Sequence, residues 1–131
     1  MNTRELITKR LNRAYKNLDV AKPLFTNEFY EDSVSKSYYA LFFEVKALLL
    51  TKNLDPKKHS GVISFFNRYF VKTKELEREL ADILKLAQKE RISADYDEFY
   101  SASVEEARAQ LENAEKFLQR VKELLQEKGV L

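Results

Sequence analysis

The sequence predicts an all-α fold: an up-and-down bundle of four long helices plus one shorter helix, in a single helical-bundle domain over residues 1–131. Three observations predict it. Glycine and proline number only two each, so the chain has few places for the tight turns that hairpins need. Apolar residues recur at spacings of three and four over long windows. No segment alternates with the two-residue period of a half-buried strand.

The first helix is expected over residues 4–25, where Ile7, Leu11, Ala14, Leu18, Ala21 and Phe25 form one apolar stripe. Pro23 is expected to kink or tighten its last turn. Thr26, Asn27 and Glu28 form a break. The second helix is expected from about 28 to 52. Val34, Tyr38, Leu41, Val45 and Leu48 make its main stripe, and Phe42 and Leu49 widen it. Tyr39 and Phe43 fall to one side at about 100° per residue. Ser33, Ala40 and Ala47 recur at sevenfold spacing on the other side, where small side chains let another helix come close. A helix apolar on most sides belongs at the centre of a bundle.

Residues 53–55 form the next connection. Asp55 as N-cap and Pro56 at the first helical position predict a third helix from Pro56 to about Val71. His59, Ile63, Phe66 and Phe70 share one of its faces. Gly61 costs helix stability, which points to a close contact there. Thr73 is expected to cap the fourth helix, with Glu75 near its positive end. Leu76, Leu80, Ile83 and Ala87 form its stripe, and it ends in the polar segment KERISADYDEFYSAS. Ser103 and Glu106 match a capping box. The last helix then carries Val104, Ala107, Leu111, Ala114, Leu118, Val121 and Leu125 before Gly129 stops it.

The chain has no cysteine, which excludes thiolate zinc sites and thiol nucleophiles. That fits a reducing compartment, and a cytoplasmic location is expected. The first 17 residues are too charged for a signal peptide. No apolar run approaches the roughly 20 residues of a membrane span, so no membrane partner is expected. Charged residues make up 34% but the net charge is +2, so total charge announces no nucleic-acid binder; a local basic patch stays open. Glycines at 61 and 129 alone cannot build a glycine-rich phosphate loop. A di-metal bundle needs inward Glu-x-x-His pairs, and the residue three before the sole histidine, His59, is Pro56. No metal and no cofactor are expected.

His59 with Ser60 or Ser64 could start a nucleophilic triad, but such neighbours are too common to be a signal. His59 reads better as a half-buried side chain covering the core near Ile63 and Phe66. Tyr38 and Phe42 read as core, whereas Tyr39 and Phe43 sit on a flank that meets a second surface, most simply another subunit. Arg91 and Asp95 are four apart and pair if the helix continues that far. Spacing alone reads them as a surface ion pair. The other reading is an arginine beside Tyr96 that grips phosphate.

The order of the pieces adds information. Tyr38-Tyr39-Ala40 is followed by Lys58-His59-Ser60-Gly61-Val62, then Phe70-Val71-Lys72, then Arg91-Ile92-Ser93-Ala94-Asp95-Tyr96. This succession resembles the HEPN domain superfamily, in its branch of small stand-alone proteins, over about residues 10–125. The resemblance implies a bundle of four or five helices that is often dimeric. It also implies action with a minimal nucleotidyltransferase partner, often as toxin and antitoxin. Several HEPN toxins are metal-independent ribonucleases whose motif is an arginine, four to six residues, then a histidine, paired across two subunits. Here Arg91 matches, but the residue after the next four is Tyr96, and no histidine follows. A phenol is a poor base at neutral pH.

The reading favoured by the sequence is a HEPN module with weak or no catalysis. It would bind a nucleotide or RNA through Arg91, Asp95, Tyr96, Lys58 and His59, beside a minimal nucleotidyltransferase protein. A second reading is a ribonuclease in which His59 or Tyr96 stands in for the missing group next to Arg91. A plainer third is a structural homodimer joined at Tyr39 and Phe43.

Overall fold

The computed structural model describes residues 2–131. The chain folds into α1 (Thr3–Thr26), α2 (Tyr30–Leu50), α3 (His59–Phe66), a π-helical segment Asn67–Val71, α4 (Arg78–Tyr96) and α5 (Val104–Glu127). Four helices are long and one is short, as the periodicity requires, and no strand occurs among the described residues.

Asn2 starts α1 by accepting the Glu5 N–H at 2.8 Å. Pro23 lies inside α1 without ending it; the helix runs on to Thr26 and reverses at Glu28, whose φ is 68°. The helix α2 is the centre of the bundle and packs against α1, α3, α4 and α5. Its main stripe is buried, and so is the opposite stripe of Ser33, Ser37, Ala40, Glu44 and Ala47. Ser33 Oγ donates to the Ala21 carbonyl at 2.9 Å, so the small residues do admit α1 to close range. Glu44 is the exception on that stripe. Both of its carboxyl oxygens are enclosed without a hydrogen-bond partner, as is Ser37 Oγ. Burial raises the Glu44 pKa well above the ordinary carboxylate value, so it sits in the bundle as a neutral acid.

Two helix starts differ from the sequence expectation. Asp55 does not cap α3. Arg10 grips both of its oxygens, at 3.0 and 3.1 Å, and Lys46 and Lys57 stand at 3.4 and 3.3 Å. Three cations outcompete a helix N–H for one carboxylate. The helix therefore begins at His59, with Lys58 in the capping position. Gly61 allows the Pro56 ring to sit 3.2 Å from where a Cβ would lie, which is the close contact expected of it. Within α3 it is Val62 that is fully buried, while Ile63 is half-buried.

Thr73 likewise does not cap α4. Its Oγ1 donates back to the Tyr69 and Phe70 carbonyls at 3.1 and 3.2 Å, and Glu77 takes the capping position. The Lys72 N–H reaches the Asn67 carbonyl at 2.9 Å, the i→i+5 bond of the π segment. Phe70 is thereby buried against Phe66, which meets Phe117 of α5. The capping box at α5 is formed in both directions. Gly129, at φ 71°, closes that helix.

Candidate functional site

Three helices bring together residues that stand far apart in the chain. His59, the first residue of α3, lies over α2. Its ring stacks on Phe42 with centroids 4.3 Å apart, and its Nδ1 is 2.7 Å from the Tyr38 hydroxyl. The helix α4 delivers Arg91, whose guanidinium carbon lies 5.0 Å from the Tyr38 ring centroid and 5.8 Å from that of Tyr39. Arg91 pairs with Asp95 at 3.6 Å, and Ser35 donates to Asp95 at 2.6 Å. Tyr38 is thus the shared surface between the histidine and the arginine.

The sequence reading of Arg91 and Asp95 as a surface ion pair is corrected here. The Arg91 side chain keeps only 9% of its surface, and its Nε is buried with no partner. One long ion pair and two aromatic faces do not replace the water a guanidinium gives up. Spacing along α4 could not show this, because the burial comes from α2.

Burial pushes the Tyr38 hydroxyl up to about 12, against the opposing pull of Arg91, so it keeps its proton at neutral pH. His59 is shifted the other way: burial, then Arg91 and Lys46, lower its pKa. The imidazole is therefore neutral. With Tyr38 donating to Nδ1, the ring proton is assigned to Nε2. In that tautomer Nε2 carries an N–H, not a lone pair. A buried cation beside a fixed N–H donor is suited to holding an anion. It is poorly suited to removing a proton, because Nε2 would first have to lose its own.

The remaining predicted residues fall in different places. Lys58 is exposed at the start of α3. Tyr96 is 78% exposed and lies about 140° around α4 from Arg91, so it does not join the cluster. No histidine follows Arg91 on α4; His59, from an earlier part of the chain, shares Tyr38 with it. Tyr39 lies at the rim, edge-on to His59 at 6.1 Å. Phe43 is half-buried with the Arg13 guanidinium 4.3 Å above it. Sequence reasoning placed Tyr38 and Phe42 in the core, which is right, and missed that they hold His59. The available signal was that His59 is the one polar residue on the face shared with Ile63, Phe66 and Phe70. Cavities of about 430 and 580 Å³ lie elsewhere; here Arg91 is buried while His59 and Tyr39 are half-buried, so the site lies at a rim of the bundle. Among the described residues no group of three His, Cys, Asp or Glu side chains could hold a metal ion, and no helix is long and apolar enough to cross a membrane.

Known proteins share this chain's pattern. The family model for the HEPN domain matches residues 7–124. A Methanocaldococcus jannaschii protein provisionally named a toxin is 43% identical over 95% of this chain and 85% of its own length. A UPF0332 protein of Thermotoga maritima is 39% identical over 97% of each chain. The crystal structure of TT1696 from Thermus thermophilus superimposes with a TM-score of 0.77 over 91% of this chain and 98% of that one. At 21% identity that likeness shows the helical fold. With the family match spanning most of the bundle and close relatives aligned nearly end to end, the chain belongs to the HEPN domain family.

Proposed function

We propose that this protein binds a nucleotide or RNA phosphate at the Arg91–His59 rim with little or no catalysis. It acts beside a minimal nucleotidyltransferase partner in a toxin–antitoxin-like pair. The observation that carries the reading is the buried, under-partnered Arg91 meeting a half-buried His59 at the Tyr38 ring. The toxin names of two relatives support the pairing. A second surface closing over the rim would enclose more of a ligand than the rim does alone. Tyr39 and Phe43, both half-buried beside the rim, are where a second copy of this chain would sit.

The test is calorimetric titration with UMP and AMP of wild type, Arg91→Lys and His59→Gln. Arg91→Lys keeps the charge but loses the forked donor, so binding falls about tenfold. Unchanged binding in both variants overturns the reading. Co-purification with the nucleotidyltransferase tests the partner.

One observation favours ribonuclease action as a second reading: His59 and Arg91 meet at Tyr38 although no histidine follows Arg91 in the sequence. RNA cleavage by wild type that disappears in His59→Gln selects it. No cleavage by either selects binding alone.

A further inference from the structure

The outward face of α4 carries a line of mostly basic side chains. Arg78, Asp82, Lys85, Lys89, Ile92 and Tyr96 follow at three- and four-residue steps, all within about 40° of one line along the helix. The line is about 27 Å long. A groove of about 580 Å³ runs beside its first half, between α4 and the π segment, and Lys72 stands on the opposite wall. Four cations thus face one carboxylate, Asp82. That excess of three lies along the groove and the first three turns of α4, while the aromatic end beyond it carries Asp95, Asp97 and Glu98. None of Lys72, Arg78, Lys85 and Lys89 has an ion-pair partner among the described residues.

The strip ends at the two most exposed aromatic side chains, Tyr96 at 78% and Phe99 at 88%. Neither serves the core. Phe99 is held in its loop by its own N–H, which donates to the Asp97 side chain at 3.0 Å. The next residue, Tyr100, anchors that loop back to α4 through Glu90 at 2.7 Å. Unpaired cations along a groove with bare aromatic faces at one end match what single-stranded nucleic acid requires. Phosphates need a positive track, and unpaired bases need rings to stack on. Asp95, one residue before Tyr96, ties this end of the strip to Arg91.

We infer that the α4 face is a track for single-stranded RNA or DNA, with phosphates over Lys72, Arg78, Lys85 and Lys89 and bases on Tyr96 and Phe99. The track lies on the opposite side of α4 from Arg91 and goes beyond the nucleotide reading of the rim. It specifies a polynucleotide where the rim alone would take a mononucleotide.

The experiment is fluorescence anisotropy with an oligouridylate of about 12 nucleotides, a length such single-strand sites cover. Affinity is measured across a salt series, beside calorimetry with UMP. Four cations predict a slope of log K against log salt of about −2.8, and Lys85→Gln/Lys89→Gln should bring it to about −1.4. Phe99→Ala should weaken oligonucleotide binding roughly tenfold and leave the slope alone. All three side chains are exposed, so the variants keep the fold. An unchanged slope in the double variant, no effect of Phe99→Ala, or equal competition by polyglutamate overturns the track. The last of these would point to an acidic protein instead. UMP binding with no gain for the oligonucleotide defeats the track and spares the rim. Oligonucleotide binding with the expected slopes but no UMP binding defeats the rim and spares the track.

Discussion

Glu44 gives the sharpest test of how the bundle is assembled. The side chain is wholly enclosed on the central helix, and neither oxygen has a partner. Burial raises its pKa well above the usual carboxylate range. In the unfolded chain it titrates near 4.3. Between those values the folded state holds a proton that the unfolded state has released. Stability contributed by this group is therefore present below about 4.3 and is lost as pH rises through the interval. The loss is about 1.4 kcal/mol for each pH unit. Glu44→Gln has a similar shape and no titration, so its stability should lack that slope. Glu44→Leu also removes the two unsatisfied oxygens and should stabilise the fold by about 1–3 kcal/mol at neutral pH. Urea denaturation at pH 5.5, 6.5 and 7.5 measures both effects. Parallel pH dependences for wild type and Glu44→Gln would refute the reasoning, since the carboxylate would then be ionised and compensated in the fold.

Two other side chains give further tests. Tyr38→Phe removes the donor to His59 Nδ1, which favours the neutral ring, so the His59 pKa followed by NMR should rise; a fall would mean that Tyr38 accepts. The same substitution should cost about 1 kcal/mol of stability. Asp55→Asn should cost about 1 kcal/mol at neutral pH, a figure kept low because the side chain is 31% exposed. Arg10 holds the Asp55 pKa down to about 2, so the difference from wild type should be full above pH 4 and close as pH falls to about 2.

Local patterns were the legible ones. The capping box at Ser103 and the three-four apolar stripe of α5 involve neighbours in the chain, and both appear as read. The starts of α3 and α4 were misread because their cap candidates had better distant or backward partners. Asp55 bonds Arg10, 45 residues away, and no local pattern could announce that. Thr73 turns back to the π segment rather than forward. At the candidate site the residue types were legible and their grouping was not. Arg91 and Asp95 follow from helical spacing alone. His59 reaches the arginine only because α2 presents Tyr38 and Phe42 between them. Tyr96 was placed with Arg91 by counting, yet helical rotation turns it outward.

The wide turn at Asn67–Val71 bears on which chain lengths this architecture tolerates. Its i→i+5 bond encloses one residue more than an α-turn would. Removing a residue from the middle of α2 or α5 would swing everything beyond it by about 100° and pull the buried stripe out of register. Here the loss of one residue would merely restore ordinary winding, with Phe66 and Phe70 still near one side. The irregular stretch that follows, before α4 begins at Arg78, can absorb the remaining mismatch. This segment is the bundle's expansion joint, the point at which a residue could be lost at least cost to the packing of Phe66 and Phe70.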